Sequence, residues 1–161
     1  MSLLEAYRIG YKHVKTFDLK SELLEMNSID DVRKSGRDGK KSTWHLLFHL
    51  PTYREAVAFT IQADTIVNEI RLENFDGTNQ QELKLPHLQF DSTEAIELAI
   101  YDFALVEGDG HTVIFSGYHF KAIKENNIPF LTVVGTLNAK MAEIHFNAAT
   151  GEYLGWTESH S

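Results

Sequence analysis

Two series of short segments, in which apolar and polar residues alternate, constrain the fold of this chain more than any other feature. The alternating segments are residues 44–50, 57–61 and 69–73 in the first half, and 113–123, 130–137 and 141–146 in the second. A period of two residues places successive side chains on opposite faces of a β-strand. The sequence therefore predicts antiparallel strands with one buried face and one open face.

Helices are predicted ahead of each series of strands. The first helix has its apolar residues on one stripe, which comprises Leu3, Leu4, Tyr7, Tyr11 and Val14. A second, short helix is predicted over residues 18–26, because Asp18 can cap it and its leucines form an apolar face. A third helix is predicted to begin at Asp91 or Ser92 and to end before Gly108.

The two halves share the order of a helix followed by three strands. A single offset of 74 positions, the difference between Ser42 and Ser116, also carries His45 onto His119 and preserves the parity of every strand. We therefore predict an α+β fold of two repeated units, each a helix packed on a three- to four-stranded antiparallel sheet, with an extra N-terminal helix. The predicted units are residues 1–80, which include the extra helix, and residues 88–161.

The last predicted strand continues into Asn147-Ala148-Ala149-Thr150-Gly151-Glu152. This sequence resembles the closing hairpin of PepSY-type domains, in which a strand ends in an Asp-Ala-x-Thr-Gly-Glu-like turn. The resemblance covers residues 88–156 best and residues 18–77 more faintly. It implies a tandem PepSY-like protein with a cystatin-like fold, similar to the YpmB-like proteins of Gram-positive bacteria. PepSY-like modules are mostly non-catalytic binding or inhibitory domains linked to peptidases or the cell envelope, so the resemblance implies no catalytic residue.

Composition excludes several classes of function. The absence of cysteine removes disulfides, thiolate zinc sites and cysteine nucleophiles. A formal net charge of −8 disfavours nucleic acid as a partner. No segment approaches the roughly 18 apolar residues of a membrane span. The N-terminal sequence as written indicates a cytoplasmic protein. If a signal or anchor has been removed ahead of Met1, the lack of cysteine suits a bacterial cell envelope equally, and both compartments stay open.

Eight histidines are the most tempting candidates for catalysis or metal binding. His45 and His49 have the spacing of a zincin helix, but Leu46 stands where that motif needs Glu, and on a strand the two rings project about 13 Å apart. No nucleophile motif or paired-carboxylate pattern accompanies them. We predict no catalytic residue, no metal site and no cofactor. The predicted binding residues, on an exposed sheet face, are His45, His49, His119, Glu143 and His145.

These observations predict a non-enzymatic module that binds a protein or peptide, with an inhibitory or envelope-associated role and an undetermined oligomeric state. The alternative is a small-molecule-binding or enzymatic α+β protein of cystatin-like or nuclear-transport-factor-like shape. A cavity of several hundred Å³ lined by Trp44, Phe59 or Tyr118 beside a buried Asp or His would favour that alternative.

Overall fold

Ten strands and two α-helices make up the part of the chain that the computed structural model describes, which is residues 1–31, 33–77 and 79–159. The strands are β1 (Glu22–Ser28), β2 (Thr43–Leu50), β3 (Glu55–Gln62), β4 (Thr65–Leu72), β5 (Gly108–Asp109), β6 (Ser116–Gly117), β7 (His119–Glu125), β8 (Ile128–Leu137), β9 (Lys140–Asn147) and β10 (Tyr153–Glu158). The helices are α1 (Leu3–Val14) and α2 (Ser92–Phe103), and a 3-10 turn covers Leu85–His87. Neither α-helix has the length and apolar content needed to cross a bilayer.

Eight of the strands form one antiparallel sheet in the order β10-β9-β8-β7-β1-β2-β3-β4, and β5 pairs with β6 alone. Strands β1 to β4 and β7 to β10 each follow one another along the chain, and the β1·β7 pair joins the two series through Met26 and Ala122. The prediction of two repeated units, each a cystatin-like or PepSY-like helix on its own sheet, is therefore wrong. At the 74-residue offset, strand β1 of the first half aligns with helix α2 of the second half. The two halves therefore have different secondary structure at the segment that joins them into one sheet.

Strand β1 occupies most of the segment for which a short helix is predicted. Its ladder with β2 is irregular between Leu23 and Glu25, so Leu24 is an additional residue that interrupts the alternation. This bulge gives the segment an apolar spacing that is typical of a helix. Asp18 does not cap a helix either, because its carboxylate accepts hydrogen bonds from the backbone amide and the hydroxyl of Thr52. The predicted extra helix, α1, is therefore the helix that covers the first half of the sheet.

Both helices cover the same face of the sheet and share one core. Helix α1 packs against β1 to β4 and α2 packs against β8. Their N-termini meet, because the amides of Leu3 and Leu4 donate hydrogen bonds to Ser92 Oγ and Asp91 Oδ1. Beneath them Trp44 of β2 stacks on Phe120 of β7 with ring centroids 6.2 Å apart. The core is thus continuous across the β1·β7 pair.

Candidate functional site

The face of the sheet opposite the helices, which we call the open face, carries a line of apolar side chains at right angles to the strands. Cross-strand pairing sets their order, and from β4 to β8 the line is Ile70, Ala58, Leu47, Glu25, Ile123 and Phe130. We call these residues the apolar row. Since neighbouring strands lie about 4.8 Å apart, the row spans about 24 Å. Glu25 is the one charged member.

A second line, separated from the apolar row by two residues on every strand that both lines cross, is polar. From β4 to β9 this polar row is Asn68, Thr60, His45, Asn27, Lys121, Thr132 and His145. Three shallow depressions lie along the two rows, with volumes of about 370, 380 and 300 Å³. The first lies over β1 to β4, the second over β1 and β7, and the third over β7 to β9. The open face therefore offers an extended surface of alternating polar and apolar character.

His45 and His49 both lie on the open face, but the structure gives them different surroundings. The ring of His45 is exposed and has no hydrogen bond or ion pair with any residue in the described ranges. His49 is 13% exposed, and its Nδ1 lies 2.7 Å from Glu82 Oε1 with Phe75 beside the ring. Glu82 was not predicted, because it belongs to the irregular connector after β4. Of this pair, His45 is the side chain that a partner can reach freely.

His119 lies at one end of the open face, beneath the segment that contains β5 and β6. Its Nδ1 is 3.0 Å from Ser28 Oγ, its Nε2 is 3.4 Å from Asp30 Oδ1, and the ring meets Phe115 edge-on. Burial and the charge of Lys41 lower the pKa of His119, outweighing the opposite effect of Asp30. The imidazole is therefore a neutral, enclosed group near neutral pH, and it is poorly placed to contact a partner.

Glu143 and His145 lie together within a network of polar side chains on β7 to β10. Lys121 Nζ donates to Glu143 Oε1 over 2.7 Å. His145 Nδ1 lies 2.8 Å from Thr132 Oγ1, and its Nε2 lies 3.1 Å from Thr157 Oγ1 and 3.8 Å from Glu143 Oε2. Burial lowers the pKa of His145. Lys121 and the threonines were not predicted, because only the register between strands brings them beside His145.

The described residues contain no group of three His, Asp or Glu side chains arranged to hold a metal ion. The aromatic residues that the small-molecule alternative needs lie in the core instead. Trp44 is fully buried and its Nε1 donates to the Met1 carbonyl, and the Tyr118 hydroxyl donates to the Leu105 carbonyl. Phe59 packs on Phe48 in the same core. These rings fill space between the sheet and the helices.

The turn that carries the PepSY resemblance joins β9 to β10, and its polar groups hold the turn itself. Asn147 Oδ1 accepts from the amides of Ala149 and Thr150, and Thr150 Oγ1 accepts from the amide of Glu152. Gly151 has φ of 79°, a conformation that favours glycine. The motif is therefore explained by the geometry of the turn.

No family model matches this chain, and no curated protein matches it. Among solved structures, the chain is similar to the crystal structure of a "putative lipoprotein" from Clostridium difficile 630. The TM-score is 0.69 at 11% sequence identity, over 95% of this chain and 92% of that chain. At this identity the likeness shows the fold alone. The PepSY resemblance stays a prediction, and the fold that the chain shares with the clostridial protein is the one described above.

Proposed function

We propose that this chain is a non-enzymatic module that binds a protein or peptide partner with the open face of its sheet. The observation that carries the proposal is the apolar row, which crosses six strands and is covered by no other element in the described part of the chain. Ile70 is 51% exposed at one end of the row, and Ile123 and Phe130 are partly exposed at the other. Removing such surface from water favours association.

The arrangement of side chains matches the anatomy of a protein interface. An interface has an apolar centre with a polar rim, and charged side chains are few at the centre. Here the apolar row has Glu25 as its one charge, and the polar row lies beside it. The depressions are broad and shallow, which suits the side chains of a partner protein better than a small molecule, since small molecules are largely enclosed by their pockets.

The partner we propose lies in the cell envelope. The name of the clostridial structural neighbour, "putative lipoprotein", supports this placement. An inhibitory role on an envelope protein would also agree with what the PepSY resemblance implies. The open face then acts by occupying a surface of the partner, with no chemical step.

The test compares a variant of the open face with a matched variant on the opposite side of the molecule. Leu47→Ser removes an apolar side chain at the centre of the row, and Tyr101→Ser removes one from α2 that is 79% exposed. A partner is captured from an extract of the source cells with the wild-type chain, purified, and titrated calorimetrically against each variant.

We expect Leu47→Ser to weaken binding at least about tenfold, as for a central interface residue, and Tyr101→Ser to bind like the wild type. Circular dichroism and thermal melting establish that both variants are folded. Equal binding by the wild type and a folded Leu47→Ser variant would overturn the proposal.

A further inference from the structure

The segment between α2 and β7 forms a hairpin, residues 108–117, that ends in an uncovered apolar tip. Ile114 is 100% exposed, which makes it the most exposed large apolar side chain in the described part of the chain. Val113 and Phe115 on either side are partly buried. A fully exposed isoleucine has no role in the packing of its own chain, so it is available to another molecule.

Hydrogen bonds hold the hairpin in shape. Asp109 accepts from the amides of His111 and Thr112 and from the Thr112 hydroxyl, and the Gly110 amide donates to the Phe115 carbonyl. At its base β5 pairs with β6. A tip that is ordered before binding loses little conformational entropy when a partner engages it.

The base of the hairpin is continuous with the open face. Phe115 lies edge-on against His119, whose ring centroid is 5.6 Å away, and the Ser116 amide donates to Asp30. His119 is on the same side of the sheet as the polar row, because it precedes Lys121 by two residues on β7. The hairpin therefore adjoins the end of the open face where β7 begins, beside the surface that a partner on that face would cover.

The charges near the tip favour a protein over a membrane surface. The Asp109 carboxylate is negative at physiological pH, as an aspartate normally is, and hydrogen bonds from His111 and Thr112 lower its pKa further, to about 2. The whole chain has a formal net charge of −8. Anionic bilayers attract clusters of Lys and Arg and repel such a surface. An isolated branched side chain of this kind fits a pocket on a folded partner.

We propose that Ile114 is an anchor residue that inserts into an apolar pocket of the partner bound by the open face. The inference rests on the proposed function, since it places one more contact on the same partner. The partner is thus a folded protein with a pocket about the size of an isoleucine side chain, located beside the surface that receives the apolar row.

Photochemical crosslinking tests the placement. The photoreactive residue p-benzoylphenylalanine replaces Ile114 in one variant, Ile70 in a second and Leu19 in a third. Leu19 is the control, because it is 82% exposed and lies in the turn after α1. In an extract of the source cells, we expect one and the same protein to be linked through positions 114 and 70, and not through position 19.

The partner identified by crosslinking is then purified and titrated calorimetrically with each variant, which measures the contribution of Ile114 to the affinity. We expect Ile114→Ser to weaken binding at least about tenfold, as for an anchor residue, while Ile114→Val stays within about threefold, because it retains most of the apolar volume. Leu19→Ser should bind like the wild type. Ile114 and Leu19 are 100% and 82% exposed, so we expect all three variants to be folded, and circular dichroism checks this.

The outcomes separate the two proposals. If Leu47→Ser abolishes binding while Ile114→Ser does not change it, the anchor is wrong and the open-face function stands. If neither position 70 nor position 114 yields a crosslink, both proposals fail. If vesicles of phosphatidylcholine and phosphatidylglycerol sediment the wild type but not Ile114→Ser, the tip binds lipid and the protein-pocket proposal is overturned.

Discussion

The two halves of the open face differ in how their polar side chains are used. On β7 to β10, Lys121, Glu143 and His145 bind one another and nearby threonines. On β1 to β4, Glu25 and His45 have no hydrogen bond or ion pair with another residue that the structure describes. The same kind of strand surface is thus satisfied by a side-chain network in one half, whereas in the other His49 pairs with Glu82 and the central Glu25 and His45 are left without such partners.

This difference predicts which polar side chains contribute to stability and which are free to contribute to binding. A polar group that already has partners costs stability when it is removed, because its partners lose their hydrogen bonds. An exposed group without partners can be changed at little cost to the fold, so any effect of its removal falls on recognition. We expect the β7 to β10 half to hold its shape as a fixed platform, and the β1 to β4 half to adjust its side chains to a partner.

The largest expected effect comes from breaking the core that the two halves share. Phe120→Ala removes a buried ring that stacks on Trp44 of the other half, and we expect a loss of about 3–5 kcal/mol in the free energy of unfolding. The chain has two tryptophans, Trp44 in β2 and Trp156 in β10, so single-tryptophan variants report on each half separately. We expect both probes to give one coincident urea transition in the wild type and in Phe120→Ala.

Separate transitions for the two tryptophans would show that residues 1–80 and 88–161 unfold as independent domains. Val67→Ala is the control for the loss of side-chain volume, since Val67 is 53% exposed on β4 and its truncation should leave the midpoint almost unchanged.

A smaller effect is expected from pH, and it should arise mainly in the second half. Burial lowers the pKa of His145 in the folded chain, so on acidification the unfolded chain takes up this proton first. Stability is therefore fully present above a pH of about 6.5 and is lost as pH falls toward the folded pKa, by at most about 1.4 kcal/mol per pH unit for one histidine.

The measurement is the free energy of unfolding of the wild type and of His145→Gln at pH values of about 7.5 and about 5.5, on either side of the unfolded pKa of histidine. We expect the variant to lose less stability than the wild type over this interval. His45→Gln, on the other half, serves as the matched comparison. If both variants show the wild-type pH dependence, the enclosed surroundings of His145 do not control its protonation.

The smallest effects come from two matched carboxylates. Glu143→Gln removes the acceptor of the 2.7 Å hydrogen bond from Lys121, and we expect a loss of about 1 kcal/mol. Glu25→Gln should change the free energy of unfolding by less than about 0.5 kcal/mol. Affinity for the captured partner should rank the two variants in the opposite order. If the same variant loses more in both the free energy of unfolding and the affinity, the two halves do not serve stability and binding separately.

The sequence predicted the local elements of this fold better than their assembly. The alternation around Trp44 and Phe48 matches β2, and the apolar stripe of residues 3–14 matches α1. Strand β1 was mistaken for a helix because the bulge at Leu24 breaks its period of two. Pairing between β1 and β7 carries no local signal, since it depends on residues far apart in the chain. Without knowledge of the β1·β7 pair, two similar series of strands indicate two separate sheets.

The sequence could predict on which face of the sheet the candidate site residues lie, but not the surroundings of each side chain. Strand parity placed His45, His119 and His145 on one side of the sheet, because parity depends on single strands. Their surroundings depend on register and on loops, so the enclosure of His119 by Phe115 could not be foreseen. The exposed tip at Ile114 could not be predicted either, since the alternation over residues 113–123 indicates one continuous strand.

The position of β1 has a consequence for how the chain is made. β1 is an inner strand, yet its partner β7 is synthesised almost a hundred residues later. At a translation rate of roughly 5–20 residues per second, the edge of β1 that pairs with β7 remains unpaired for roughly 5–20 seconds. During that time the backbone of a strand that carries Leu23, Leu24 and Met26 is open to other chains, and a chaperone that shields β1 would protect the nascent protein from aggregation.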